Sequence, residues 1–264
     1  MRKLNEICGA VREKHPLIHC ITNPISINQC ANAILATGAR PIMAEHPSEV
    51  KEITETADVL MLNLGSITEA RMQSMEISLR AAKEKGIPVV LDAVGTACSG
   101  LRREFAARLL EIAAPAVIKG NYSEIYALHQ NAYRSAGVDA DSALTEDEVR
   151  DAAGGLARKY HTTVLASAST DIVTDGTRYA LIRNGTPQLA SVTGTGCMLG
   201  ALCGVYLTVC PGMEAAEFAC AVLGACGQLA ETPKGSGTFM VNLLDALTTA
   251  AGTQLEELMN VEEA

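Results

Sequence analysis

Val59-Leu60-Met61-Leu62-Asn63-Leu64-Gly65-Ser66 is a short apolar run that closes on polar and small residues. A longer stretch of helical character, 68–85, separates it from a second run, Ile87-Pro88-Val89-Val90-Leu91, which closes on Asp92. Short runs that are apolar on both faces read as strands buried on both sides, and such strands joined by helices make a parallel sheet.

The same alternation recurs on either side. Apolar runs at 17–21, 40–43, 116–118 and 163–166 are expected strands, and 25–37, 101–113 and 145–160 are expected helices, the last opened by Thr145 and Glu148 at capping-box spacing. Repeated crossovers of this kind give an α/β fold with a mostly parallel central sheet. After Ala166 the pattern changes: 171–175, a turn at Gly176 and 178–183 form a β-hairpin that puts an antiparallel edge on the sheet. Helices at 197–209, 214–232 and 238–251 follow, and residues 255–264 read as a solvated acidic tail without function. Residues 129–143 form the one extended irregular stretch; with no repeat and no long linker, 1–264 is expected to be a single domain.

Composition narrows the classes. The 264 residues are 48% hydrophobic, enough for a full core, and carry a net charge of −9. That charge disfavours a nucleic-acid or anionic-membrane partner, so an anionic ligand must rely on helix N-termini, backbone N–H groups or a bound cation. Nine Cys, an odd number, and a start in which Met1-Arg2-Lys3 leads into an amphipathic helix rather than an apolar leader point to reducing cytoplasm. No zinc-ligand spacing is present, and the long apolar stretch 197–210 is broken by Gly and closed by Pro211, short of a membrane span.

In open parallel sheets ligands bind beyond the carboxyl ends of the strands. Those ends read Thr22-Asn23, Asn63-Leu64-Gly65-Ser66, Asp92-Ala93-Val94-Gly95, Lys119-Gly120-Asn121 and Ser191-Val192-Thr193-Gly194-Thr195-Gly196-Cys197. In the last, Gly194, Thr195 and Gly196 lead into a helix with glycines at 196, 200 and 204, so free N–H groups and the helix dipole form an anion hole suited to phosphate. It is neither a dinucleotide fingerprint nor a P-loop. Cys197 lies in the first turn, where a thiolate is favoured, or is simply another core Cys. Asp92 and Glu124 follow neighbouring strands and together can hold Mg²⁺ through oxygens or water; each also reads as an ordinary turn or first-turn acid. Lys119 is either a point charge for a nucleotide phosphate or a solvated lysine. His19 lies within a strand and is structural.

Taken in order, these segments resemble the hydroxyethylthiazole kinases, the thiamine-salvage branch of the ribokinase-like kinases. The likeness runs from about Leu4 to Leu247 and rests on His19-Cys20-Ile21-Thr22-Asn23 with Asn28 and Asn32, Pro41-Ile42-Met43-Ala44, Leu91-Asp92 with Val94-Gly95, Ile118-Lys119-Gly120-Asn121 with Ser123-Glu124-Ile125, and residues 193–198. The resemblance implies a ribokinase-like three-layer fold and a cytoplasmic homotrimer with active sites at subunit interfaces. It also implies Mg²⁺-dependent transfer of the ATP γ-phosphoryl group to the primary alcohol of 4-methyl-5-(2-hydroxyethyl)thiazole. It places Cys197 beside the substrate hydroxyl, Asp92 and Glu124 on the magnesium side, Met43, Gly194 and Asn23 on the thiazole, and Lys119 and Ser167 on ATP. Three positions depart from the family's pattern: Lys119 stands for Arg, Ser167-Ala168-Ser169-Thr170-Asp171 for Thr-Gly followed by an acid, and Ala93 for Pro. A kinase for another small alcohol, such as a hydroxymethylpyrimidine, and a non-catalytic thiazole sensor are the rival readings.

Overall fold

The computed structural model describes residues 4–130, 132–133, 144–250 and 252–263. Five apolar runs form parallel neighbours in the middle of one sheet: β1 (Leu17–Ile21), β3 (Val59–Asn63), β4 (Val89–Asp92), β5 (Val117–Asn121) and β6 (Thr163–Ser167). β2 (Arg40–Ile42) adds a parallel edge beside β1. On the other side β7 (Asp171–Thr174), β8 (Tyr179–Ile182) and β9 (Val261–Glu263) continue antiparallel, giving the order β2-β1-β3-β4-β5-β6-β7-β8-β9.

Side chains alternate across the sheet and divide the core in two, as the pleat requires. Ile18, Cys20, Val59, Met61, Val90 and Val117 face one helical layer: α1 (Leu4–Lys14), α2 (Ile27–Ala36), α8 (Thr195–Leu207), α9 (Gly212–Ala230), α10 (Ser236–Thr249) and α11 (Gly252–Leu258). Ile21, Leu60, Leu62, Leu91 and Ile118 face the other: α3 (Val50–Thr56), α4 (Glu69–Lys85), α5 (Gly100–Ile112), α6 (Tyr122–His129) and α7 (Glu146–Tyr160). The strands are buried on both faces, which is why they read as continuous apolar runs rather than alternating ones.

Local signals set the helix starts. Thr68 and Ser99 accept hydrogen bonds from the backbone N–H groups of Arg71 and Arg102, and Thr145 with Glu148 forms the expected capping box. Gly86 ends α4 at φ +69°, a conformation that suits glycine. α8 lies close against the sheet because its glycines face it: a Cβ on Gly200 would meet Met61 at 2.9 Å and Asp92 Oδ2 at 3.3 Å, and one on Gly204 would meet Val59 at 3.4 Å.

The structure corrects the sequence reading in three places. β5 runs on to Asn121, so Lys119 and Gly120 belong to the strand and not to the loop after it. α3 was not expected, since only Val50 and Thr54 of its two turns are buried and so short a pattern carries no clear period. Over residues 255–263 the expected tail is not free: Leu255, on α11, is buried, and β9 pairs with β8, with Arg183 donating to the Glu262 carboxylate at 2.6 Å. Main-chain hydrogen bonds hold this three-residue strand, so composition gives no sign of it. Most of the irregular stretch 129–143 lies outside the described residues.

Candidate active site

Four strand ends and one helix start converge through side-chain hydrogen bonds. Asn63, the last residue of β3 and fully buried, is the hub. Its Nδ2 donates to Asp92 Oδ2 at 2.7 Å and to Cys197 Sγ at 3.3 Å, and its Oδ1 accepts from Gly65 N at 2.9 Å and Asn23 Nδ2 at 3.0 Å. Asn23 Nδ2 also reaches Cys197 Sγ at 3.3 Å, while its Oδ1 accepts from the backbone N–H groups of Ile25 and Ser26 and so fixes the start of α2. Both amides are therefore saturated in one orientation, and both aim an N–H at the sulfur. Gly65 makes room for this bridge: a Cβ there would come within 2.9 Å of both amide groups.

Asp92, at the end of β4, accepts from Lys119 Nζ at 3.0 Å on its other oxygen, and both side chains are almost wholly buried. Burial works against charge on the ammonium, but Asp92 first and Glu124 next more than offset it and hold Lys119 above the ordinary lysine range. At Asp92 burial pushes the carboxyl up, and Lys119 and Asn63 oppose it. The solvated reading of Lys119 is thus wrong. Its Nζ lies 3.6 Å from where a Cβ on Gly196 would stand, directly beneath the first turn of α8.

That helix start is unusual in its backbone. Gly194 is the N-cap at φ +94° and no side chain caps the helix, so the leading N–H groups have no intrahelical acceptor. A Cβ on Gly194 would meet Gln29 and Ser26 only at 3.5 Å, so conformation rather than space is what calls for glycine there. Thr195 turns its hydroxyl back to donate to Leu189 O at 2.8 Å, leaving its amide with those of Gly196 and Cys197.

Glu124 is placed differently from Asp92. Its Oε2 accepts from Asn121 N at 2.7 Å, the reciprocal half of a capping box on α6, and its Oε1 accepts from Gly95 N at 2.6 Å, tying the loop after β4 to the end of β5. Burial pushes this carboxyl up to about 7, against the pull of Lys119. Ser167 closes β6 and donates to Gly120 O at 3.3 Å. Just beyond it, buried Asp171 accepts from Ala168 N at 3.1 Å and Tyr122 donates to Thr170 O at 2.8 Å, so the segment after Ser167 is held from both sides. Met43 follows β2 at the same end of the sheet, half-buried, and the next residue's carbonyl accepts from His19 Nε2 at 2.9 Å. His19 is structural, as expected: both ring nitrogens are engaged, the other with Thr54.

Asn23, Asp92, Lys119 and Cys197 are therefore joined in one hydrogen-bonded network beside Gly194, Thr195 and Gly196, while Glu124, Ser167 and Met43 lie around it without entering it. Sequence reading gave Asn63 no role. The available signal was a lone amide ending an otherwise apolar, fully buried strand, followed two residues later by glycine.

Residues 8–252 match the hydroxyethylthiazole kinase family. Hydroxyethylthiazole kinase 1 of Clostridium botulinum is 43% identical over 245 residues, covering 91% of this chain and 92% of the relative. The structure of a hydroxyethylthiazole kinase protein from Pyrococcus horikoshii superposes with a TM-score of 0.91 at 34% identity over 100% of both chains. A ribokinase-like superfamily protein from Enterococcus faecalis, 12% identical, shares the fold alone, with a TM-score of 0.68 over 96% of this chain and 94% of that one. This ribokinase-like chain belongs to the hydroxyethylthiazole kinase family, a family of phosphotransferases.

Proposed function

We propose that this site transfers the γ-phosphoryl group of ATP to the primary alcohol of 4-methyl-5-(2-hydroxyethyl)thiazole, giving the thiazole phosphate used in thiamine salvage. The single observation that carries the assignment is the junction of Asn23, Asn63, Asp92 and Lys119 beneath an uncapped helix N-terminus whose first turn carries Cys197. Phosphoryl transfer asks the protein chiefly for positioning and charge stabilisation. The amides of Thr195, Gly196 and Cys197 hold the transferring group, with the Lys119 ammonium below them as a fixed positive charge. The substrate oxygen attacks the γ-phosphorus as the bond to ADP breaks, and the hydroxyl proton passes to a phosphate oxygen and then to water. Cys197 Sγ, anchored by two amide donors, orients the attacking hydroxyl and does not itself become phosphorylated.

Asp92 and Glu124 fit the magnesium side. No group of three acids, Cys or His among the described residues can hold a metal ion, but magnesium keeps several waters and is commonly held by one or two carboxylates together with nucleotide phosphates. The ion supplies charge neutralisation of the phosphate oxygens. Each carboxylate already accepts one hydrogen bond on each oxygen, Asp92 from Asn63 and Lys119 and Glu124 from two backbone amides, so either would meet the ion through its remaining lone pairs or through water. Ser167 and Lys119 face the nucleotide, and Met43 with Gly194 and Asn23 frames the thiazole. A homotrimer with its sites between subunits agrees with the exposed Ile25 beside Asn23 and with exposed Leu35 and Val241 on the neighbouring helices α2 and α10. A cytoplasmic setting is consistent with nine free thiols among the described residues.

The test is phosphorus NMR of the product with ATP, Mg²⁺ and the thiazole alcohol, followed by intact mass of the enzyme. The alcohol should become its phosphate monoester, Cys197→Ala should slow turnover by about 100-fold, and no phosphoenzyme should accumulate. A stable phosphocysteine would overturn the role given to Cys197.

A further inference from the structure

Glu217 lies in the second turn of α9 with 7% of its surface exposed, and among the described residues neither a hydrogen bond nor an ion pair reaches its carboxylate. It lines a cleft of about 730 Å³ bounded by Thr163, Pro211, Met213 and Tyr179. This cleft is at the end of the sheet where β6 begins, opposite the strand ends that carry Asn63 and Asp92. Four carboxylates face it, Asp175 from the β7–β8 turn, Glu214 and Glu217 from α9 and Glu263 from β9, against the single guanidinium of Arg178. Arg178 already donates two N–H groups to Asp175 Oδ2, at 2.9 and 2.7 Å.

The positive start of α9 accounts for an acid at Glu214, in the first turn. It does not account for Glu217, because the dipole's influence fades beyond that turn. Its oxygens face the cleft, and burial first, then Glu263, pushes its carboxyl up to about 7 against the pull of Arg178. A cation seated beside it resolves the mismatch.

We propose that this cleft binds a small organic cation, a primary ammonium on a short apolar stem, with Glu217 as its counter-ion. A metal ion is the poorer fit, since the acids here do not form a group able to hold one. The remaining walls, Met213 and Pro211, take methylenes, while the Tyr179 ring already carries the Arg150 guanidinium 5.0 Å from its centroid.

The test is a ligand-observed NMR titration of the full chain with pentylammonium, with 1-pentanol as the uncharged match. At pH 8 pentylammonium should bind saturably, pentanol at least about 10-fold more weakly. Glu217→Gln should weaken pentylammonium binding by at least about 10-fold while leaving thiazole-dependent turnover unchanged. Lowering the pH through 7 should weaken binding to the unmodified chain as Glu217 takes up a proton, which keeps the test decisive even if the variant fails to fold. Absent saturation at pH 8, equal binding by Glu217→Gln, equal binding of pentanol, or displacement of the amine by Mg²⁺ alone would each overturn the proposal.

Discussion

Replacing Asn63 by Asp tests the hub of the site with almost no change in shape. Oδ1 can still accept from Gly65 and Asn23, but Nδ2, which donates to Asp92 Oδ2 at 2.7 Å, becomes a second carboxylate oxygen. Two unit charges at 2.7 Å repel by about 6 kcal/mol at an effective dielectric constant of about 20. The pair of carboxyl groups that Asn63→Asp sets against each other therefore keeps one shared proton, as paired carboxylates do. By linkage, the folded state then holds a proton that the unfolded chain releases at neutral pH, so stability falls as pH rises. Each tenfold difference in proton affinity between the two states is worth about 1.4 kcal/mol, so a loss of about 2–4 kcal/mol between pH 5 and pH 8 is expected relative to the unsubstituted chain. Denaturant unfolding at the two pH values measures it directly. Turnover should fall by at least about 100-fold at pH 8, because the sulfur loses one of its two amide donors and the charge on Asp92 changes. A variant as stable at pH 8 as at pH 5 relative to the parent, or one with undiminished turnover, would refute the hub.

Other perturbations reach different parts of the site and the fold. Lys119→Met strands the buried Asp92 carboxylate and should cost about 3–5 kcal/mol in denaturant unfolding, with a larger loss at pH 8 than at pH 5. Gly194→Ala meets no steric wall, but its φ of +94° should cost about 1–3 kcal/mol and misalign the amides, lowering kcat by more than thermal stability suggests. Glu124, Asp171 and Glu217 are each pushed up to about 7 by burial. Groups with raised carboxyl values stabilise the fold fully below about pH 4 and lose that contribution through about pH 7, so Tm should decline from pH 5 to pH 8. A Tm that rises across that interval would contradict these assignments.

The strand runs and their order of appearance were legible because β1 and β3 to β6 are apolar on both faces and end where polarity begins. The glycine stripe of α8 was legible as spacing, and its cause, contact with Met61, Val59 and Asp92, needed the sheet beneath it. Strand ends could be collected as a set, but their order of contact could not. Asn63 touches Asp92, 29 positions away, and Cys197, 134 positions away, and no local pattern encodes either pairing. The choice between a phosphate-side and a solvated Lys119 stayed open for a related reason: a lysine within a strand of apolar residues is tolerated only because Asp92 stands at the matching position on β4, a fact of register. β9 was lost because backbone pairing needs no particular side chain.

The central claim is alcohol-dependent phosphoryl transfer at the α8 N-terminus. A coupled assay of ADP release with Mg²⁺, ATP and a panel containing the thiazole alcohol, hydroxymethylpyrimidine and pyridoxal tests it most directly. Release should depend on the alcohol, be fastest with 4-methyl-5-(2-hydroxyethyl)thiazole and fall sharply in Asp92→Ala. Folded protein that releases no ADP in response to the thiazole alcohol would contradict it.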